Sequence, residues 1–345
     1  MKKGYLILLL LLVSAALIFG GGAKPTPKEV IKLKVSHMWP AGSRWETDVL
    51  GPALEDMKKA TKGAIGYTFY PVGTLNAPAD AYDATARGIC DVTFITTTFN
   101  PGRFPLTDIF GLPLNWPKSA LQPIVGKPVF DQFLYKEYPD VKPLAILPTS
   151  FFYLYTTKKV RTLEDMKGLK IRSAGGIGTN VIKALGAEAV FMALPDAYLA
   201  MQTGVVDGLI TGSDAGVSFK LQEVTKWGVI HNLGSIPIGL LMNKNTWAKI
   251  PDQYKDAVAK IGWGEGFYHT KMIDDTRKND IQTMTAGGAN AYYLPPEEVA
   301  RWEAVLKPML RNWIADLEAK GLPAKAVAAA YKQSCLANGV PWPYD

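Results

Sequence analysis

The chain is short of the two residue types that carry most hydrolytic, redox and metal chemistry. Its 345 residues hold three histidines, His37, His231 and His269, and two cysteines, Cys90 and Cys335. The histidines are far apart, and neither a G-x-S-x-G elbow nor an H-E-x-x-H pair is present. The nucleophile and zinc signatures that have a local spacing are therefore missing. That scarcity argues against most hydrolase and metal chemistry, though not against a carboxylate-based enzyme, and no cofactor is expected. Gly176-Ile-Gly178-Thr-Asn-Val181 lacks the third glycine of G-x-G-x-x-G, and no P-loop lysine follows, which argues against a nucleotide. No long run of one charge sign suggests a nucleic-acid partner. Two cysteines allow one disulfide in an oxidising compartment. Sequence leaves the pairing open, although a buried free thiol is the commoner outcome for a setting like that of Cys90.

What is present describes an exported globular protein. Hydrophobic residues make up 48% and charged residues 20% of the chain. Its length exceeds the size at which one core keeps growing, so two domains are expected. Met1-Lys-Lys3, an apolar run from Tyr5 to Phe19 and the small residues Gly20-Gly-Gly-Ala23 form the pattern of a secretory signal peptide over 1–23. The run is shorter than the ~20 residues that span a bilayer, although an uncleaved anchor stays open. Cleavage removes two lysines and takes the formal charge from +7 to +5. That excess favours anionic ligands through a long-range field, or simply maintains solubility.

Two stretches 116 residues apart read nearly alike: Asp80-Ala-Tyr-Asp-Ala-Thr-Ala-Arg-Gly-Ile-Cys-Asp91 and Asp196-Ala-Tyr-Leu-Ala-Met-Gln-Thr-Gly-Val-Val-Asp207. Each reads as a helix opened by Asp, closed by Gly and followed by an apolar strand. Two α/β lobes of similar build are expected, with Thr96 and Thr211 ending strands at a shared crevice, where ligands of α/β sheets sit. Ile31 to Ser36, Glu46 to Lys62 and Ile65 to Tyr70 give the first strand–helix–strand unit. The chain crosses to the second lobe near Pro148-Thr-Ser150 and returns near Ser235 to Met242. From Pro251 to Ala286 the pattern predicts one helix of about 54 Å lying across both lobes. Gly262, Gly264 and Gly266 are candidates to kink or break it. Helices are also expected over Pro295 to Ala319 and Ala324 to Cys335.

Arg172 is the sharpest site candidate. It ends the strand Leu169-Lys-Ile-Arg172 beside the loop Ser173-Ala-Gly-Gly-Ile-Gly178. A guanidinium stays charged when desolvated and grips a carboxylate at two points; the competing reading pairs it with a structural acid. His37 stands at the end of the first strand, where it faces the crevice or serves the structure. Met38 is grouped with it, and Leu194 with the second lobe's side. Among the aromatics, whose default role is core packing, Trp39 and Phe152 are assigned to the site.

Arg161-Thr-Leu-Glu-Asp-Met-Lys-Gly-Leu-Lys-Ile-Arg172, Ala184-Leu-Gly-Ala187 and Ala200-Met-Gln-Thr-Gly-Val-Val-Asp-Gly208 resemble the solute-binding proteins of tripartite ATP-independent periplasmic (TRAP) transporters, a DctP-like family. The resemblance extends over most of residues 30–320 and includes the Tyr70-Pro-Val-Gly-Thr-Leu75 turn. It implies a two-lobed α/β periplasmic binding protein, type II-like, with hinge strands and a helix spanning both lobes. Lobe I would hold 24–148 with 236–262, and lobe II 149–235 with 263–345. It also implies a carboxylate clamp at Arg172, no catalysis, a periplasmic location without membrane insertion once the signal is cleaved, and small and large membrane subunits as partners of a sodium-driven permease. Many members carry a second arginine where Phe152 stands, and an asparagine where Thr211 stands, with Asp214 nearby. The position that is acidic in sugar-acid binders is Thr96. These departures imply a monocarboxylate with an apolar or aromatic body. Some members hold their ligand through a metal, and no convincing metal ligand set is seen here. A binding protein of an ATP-driven transporter or sensor remains the alternative, and an exported enzyme on the same scaffold a further one.

Overall fold

Alternating apolar and polar residues make Ile31–Ser36 a half-buried strand, β1, and the elements after it repeat one theme twice. The structure is a computed structural model and describes residues 30–149, 151–288 and 290–344. The signal-peptide assignment lies outside the described residues. After β1, a wide π-type turn at Trp45–Leu50 runs into helix α1 (Gly51–Ala60), then β2 (Ile65–Tyr70), α2 (Ala81–Ala86) and β3 (Val92–Thr96). Helix α3 (Leu121–Gln132) and β4 (Val141–Pro148) complete the first half. The second half runs β5 (Phe152–Thr156), β6 (Lys170–Ser173), α4 (Gly176–Ala184), β7 (Glu188–Phe191), α5 (Leu194–Gln202), β8 (Gly208–Gly212), α6 (Ser213–Ser218) and β9 (Trp227–Val229). The chain then returns through β10 (Pro237–Asn243) and α7 (Lys244–Lys249) to the long helix α8 (Asp252–Met284). Strand β11 (Ala291–Tyr292) and helices α9 (Pro296–Leu306), α10 (Met309–Glu318) and α11 (Ala324–Ala337) follow.

The strands form two sheets, ordered β2-β1-β3-β10-β4 and β7-β6-β8-β5-β9-β11. In each, a parallel trio is extended by antiparallel strands: β2-β1-β3 by β10, and β7-β6-β8 by β5. The sequence repeat lands on equivalent places in the two trios. Asp91 and Asp207 each accept the backbone N–H of the central strand through Oδ2, from Lys34 at 2.8 Å and Lys170 at 3.0 Å. Their own N–H groups donate back to the carbonyls of the same lysines, at 2.9 and 2.7 Å. Gly88 and Gly204 sit just past the two helices at φ +76° and +74°, conformations that glycine adopts freely.

Two backbone segments link the sheets. One joins β4 to β5, the other β9 to β10, and they run side by side. Phe152 N–H donates to the Gly234 carbonyl at 2.9 Å, and the Thr149 hydroxyl donates to the Ile236 carbonyl at 3.1 Å. Helix α8 packs on α1 and β4 of the first half and on α6 of the second. Its 33 residues span about 50 Å.

The glycines expected to kink α8 have a different purpose. A Cβ on Gly262 would meet the Ala145 nitrogen at 2.6 Å and the Ala145 Cβ at 2.7 Å, and one on Gly266 would meet Leu147 Cδ2 at 2.9 Å. The helix is continuous, and these positions bring its backbone close to β4. The stretch Phe99 to Pro123 reads as loop, yet α3 begins within it at Leu121. Pro123 falls in the first turn, where no donor is needed, and Pro128 is tolerated inside. The single helix expected over Pro295 to Ala319 is divided at Lys307-Pro308 into α9 and α10. A division giving all of 263–345 to the second lobe does not follow α11, which lies on α3. There the Ser334 hydroxyl donates to the Val125 carbonyl at 2.9 Å, and Tyr331 meets Phe110 edge-on. Cys90 and Cys335 are buried free thiols.

The glycine packing yields a paired test. Gly262→Ala is expected to destabilise the protein by about 1–3 kcal/mol in urea unfolding, as overpacking does. Gly264→Ala, whose new Cβ would find only Ala53 Cβ at 3.8 Å, is expected to be neutral or to stabilise by up to about 1 kcal/mol through helix propensity. Equal effects at the two positions would refute the close-approach account.

Candidate functional site

The two parallel trios present the carboxyl ends of their strands to one another, so residues distant in sequence meet between the sheets. From the first half come Met38 and Trp39, beyond β1, and Thr96, the last residue of β3. From the second come Arg172 on β6, Leu194 at the start of α5, Thr211 on β8 and Asp214 on α6. Phe152 lies where the chain crosses. These eight residues line one pocket between the two sheets. Trp45, Phe99, Thr149, Ile236 and Ile238 complete much of the wall and were not singled out from the sequence. Nothing local marks Trp45, because it enters through the π-type turn. Ile236 and Ile238 belong to the return crossing, which the sequence reading treats only as a connection.

Arg172 carries the electrostatics. Its strand alternates, with Ile171 in the core and Arg172 on the pocket side, and the residue is 1% exposed. Nε donates to the Met192 carbonyl at 3.0 Å, while Nη2 is buried with no hydrogen-bond partner. Among the described residues no carboxylate forms an ion pair with it. Burial pulls its pKa down to about 9, against the more distant charge of Asp196. The group is still a cation at neutral pH.

Aromatic rings join the two halves beside it. Trp39 and Trp45 stack face to face, centroids 4.3 Å apart and 7° from parallel. Trp45 Nε1 donates to Asp214 Oδ2 at 3.1 Å, across the lobe junction. His269 of α8 lies against Trp45, with Nε2 3.9 Å from the same carboxylate oxygen. Burial and the neighbouring Asp280 raise the Asp214 pKa, against the Trp45 N–H. Burial lowers that of His269 to about 3. The loop after Arg172 docks on the first half. A Cβ on Gly175 would meet the Thr98 carbonyl oxygen at 2.5 Å, and one on Gly176 would meet Asp108 Oδ1 at 2.9 Å. The pocket is thus closed in by both halves.

His37 does not reach this pocket. It meets Phe69 edge-on at 5.3 Å and brings Nε2 to 3.2 Å from Glu46 Oε2, on the far side of the β1 turn. Of the two roles the sequence leaves open for it, the structural one fits this setting, and the small cavity it lines is shared with Met38, Thr96 and Phe99. Among the described residues, no group of three His, Cys, Asp or Glu side chains is arranged to hold a metal ion.

The chain matches the family model DctP, bacterial extracellular solute-binding protein family 7, over residues 35–316. It is 26% identical to the C4-dicarboxylate-binding periplasmic protein DctP of Rhodobacter capsulatus over 277 residues, which are 79% of this chain and 82% of the relative. Among solved structures it resembles a marine metagenome TRAP solute-binding protein specific for aromatic acid ligands, crystallised with 3-hydroxybenzoate. The TM-score is 0.82 at 23% identity, over 88% of this chain and 98% of the other. It also resembles a TRAP periplasmic solute-binding protein from Bordetella bronchiseptica with bound mandelate, with a TM-score of 0.80 at 25% identity over 88% and 98% of the two chains.

The placement of His37 sets the sign of a pH effect. Burial lowers its pKa from 6.5 to about 4, outweighing the opposing Trp39 backbone. The unfolded chain therefore binds the proton first, and the stability present above pH 6.5 is lost as pH falls toward 4. His37→Gln is expected to remove about 2–3 kcal/mol of that loss in denaturant titrations at pH 7 and pH 4, while ligand affinity at pH 7 stays within threefold. An acid profile identical to wild type would contradict the burial argument, and a large loss of affinity would return His37 to the site.

Proposed function

This chain belongs to bacterial extracellular solute-binding protein family 7, the TRAP-type binders, and from that premise we propose that it captures a monocarboxylate with an aromatic or arylaliphatic body. The observation that carries the reading is Arg172, a buried cation with an unpartnered donor on the wall of a pocket between the two halves. A carboxylate supplies what this guanidinium lacks, in two-point geometry and away from water. Arg172 is the only cationic side chain among the lining residues, and Asp214 is the only acidic one. That balance suits one carboxylate better than two. The remaining wall is mainly apolar and aromatic, with Phe152 in place of the second arginine that the family resemblance implies. The acids bound by the two structural relatives support an aromatic body.

In this reading Arg172 clamps the carboxylate from the second lobe, and Phe152 packs the ligand body. Thr96 and Thr211 donate from opposite lobes, and Met38 and Leu194 fill the rim. A ligand that touches both halves binds the closed state better than the open one, and so shifts the population toward closure. The closed protein then delivers its acid to the small and large membrane subunits of a sodium-driven permease. The N-terminal pattern and the family support export to the periplasm. Among the described residues no helix is long and apolar enough to cross a membrane. The site is read as one for capture rather than turnover, since the relatives are binders.

Calorimetry with benzoate, mandelate and succinate tests the assignment. The wild type is expected to bind an aryl acid more tightly than succinate. Arg172→Ala is expected to weaken that binding by about 100-fold or more, the scale of a truncated buried charge pair. Arg172→Met is expected to raise the melting temperature of ligand-free protein, because it replaces a buried uncompensated charge with packed carbon. Unchanged affinity in Arg172→Ala removes the clamp, and a preference for succinate replaces the monocarboxylate with a dicarboxylate.

A further inference from the structure

The pocket holds a second donor without a partner. Trp39 is 4% exposed, and its Nε1–H is buried and unbonded. Among the described residues it is the one buried indole N–H left in this state. Trp45 donates to Asp214, Trp302 to Glu298 and Trp313 to the Pro105 carbonyl. A buried donor with no acceptor costs about 1–3 kcal/mol, so its persistence on a pocket wall requires an explanation.

Packing decides which part of the indole is on offer. One face of Trp39 is covered by Trp45 at 4.3 Å. Phe219 leans on the ring at 5.6 Å and 39°, and Phe94 meets it at 5.9 Å and 64°. Trp45 thus covers one face of the ring, and the N–H, which lies in the ring plane, has no partner from the protein. Trp39 therefore has a polar group to offer as well as an apolar surface. Trp39 comes from the first half of the chain and Arg172 from the second, so residues with an unpartnered donor line the pocket from both halves.

We infer that Trp39 is a specificity-determining hydrogen-bond donor, and that the acid taken by this pocket carries a second acceptor, a hydroxyl in the simplest case, on its aromatic or arylaliphatic body. This deepens the carboxylate reading and rests on it. The carboxylate satisfies Arg172 and the second acceptor satisfies Trp39. One ligand thereby relieves a buried unpaired donor in each lobe, and an acid without that acceptor leaves the Trp39 donor unmet.

The test compares acids that differ by one hydroxyl, mandelate against phenylacetate and 3-hydroxybenzoate against benzoate, by calorimetry. Two changes are made at position 39. Replacement of Trp39 by 3-benzothienylalanine keeps the bicyclic stack on Trp45 and exchanges N–H for sulfur. Trp39→Phe is the encoded counterpart, and it identifies the Trp39 indole resonance in ¹⁵N-labelled protein. The wild type is expected to prefer the hydroxylated member of at least one pair by about tenfold, the scale of one buried hydrogen bond. In the sulfur variant that preference falls to twofold or less, while the unhydroxylated acid stays within threefold of its wild-type affinity. In the wild type the Trp39 N–H resonance moves downfield with the preferred acid and not with its partner. A preference that survives in both variants, or no preference in either pair, overturns the inference while leaving the carboxylate clamp in place. Failure of all four acids to bind wild-type protein overturns the clamp and this inference together.

Discussion

A guanidinium kept dry without a carboxylate beside it is the constraint around which this molecule is organised. Left to itself, such a group would move toward water or recruit an acid. Here it does neither. Arg172 sits on a strand flanked by β7 and β8, and its Nε is fixed by the Met192 carbonyl. Strand periodicity puts the side chain on the pocket side, and the Met192 carbonyl holds its Nε there. The unfavourable solvation of the empty site is what gives an anion its advantage there. The fold must be stable enough elsewhere to carry that penalty, which two full sheets and their helices supply.

The second half of the design is symmetry. Both lobes are built as a parallel trio extended by a strand of opposite direction, and both position the central strand with an aspartate that exchanges paired hydrogen bonds with a lysine's backbone. Equivalent strands therefore end facing the same gap. Two backbone segments and α8 run between the lobes, beside side-chain contacts such as Trp45 to Asp214. The glycines of α8 draw it onto β4, while its other end packs on α6.

Much of this was legible in the chain itself. The repeated twelve residues announced equivalent lobes because helix stop, turn and strand have local residue requirements. Arg172 stood out because a charge at the end of an apolar strand has few reasons to be there. The failures share a cause, which is tertiary context. The α8 glycines read as breakers until β4 is placed against them. The prolines near α3 read as loop although one falls in a first turn, where proline is tolerated. His37 and Trp39 are two residues apart, yet the turn after β1 sends one toward Glu46 and the other into the pocket. Trp45 carries no local signal, because its importance comes from Asp214, 169 positions away.

That last contact explains how an acid can line a pocket meant for an anion. Asp214 charged and unmet would repel a carboxylate and cancel much of what Arg172 provides. Its surroundings bear on this in two ways. Burial and the neighbouring Asp280 raise its pKa. The Trp45 N–H occupies one oxygen, and that indole is clamped between Trp39 and His269. The same stack thus performs two tasks with two chemically identical groups. The Trp45 N–H is committed to an acid of the protein and quietens it. The Trp39 N–H, one ring away, is left for the ligand. A pocket with one strong cation, one subdued acid and one spare neutral donor selects for a small anion with a second polar atom, and it does so with almost no polar surface.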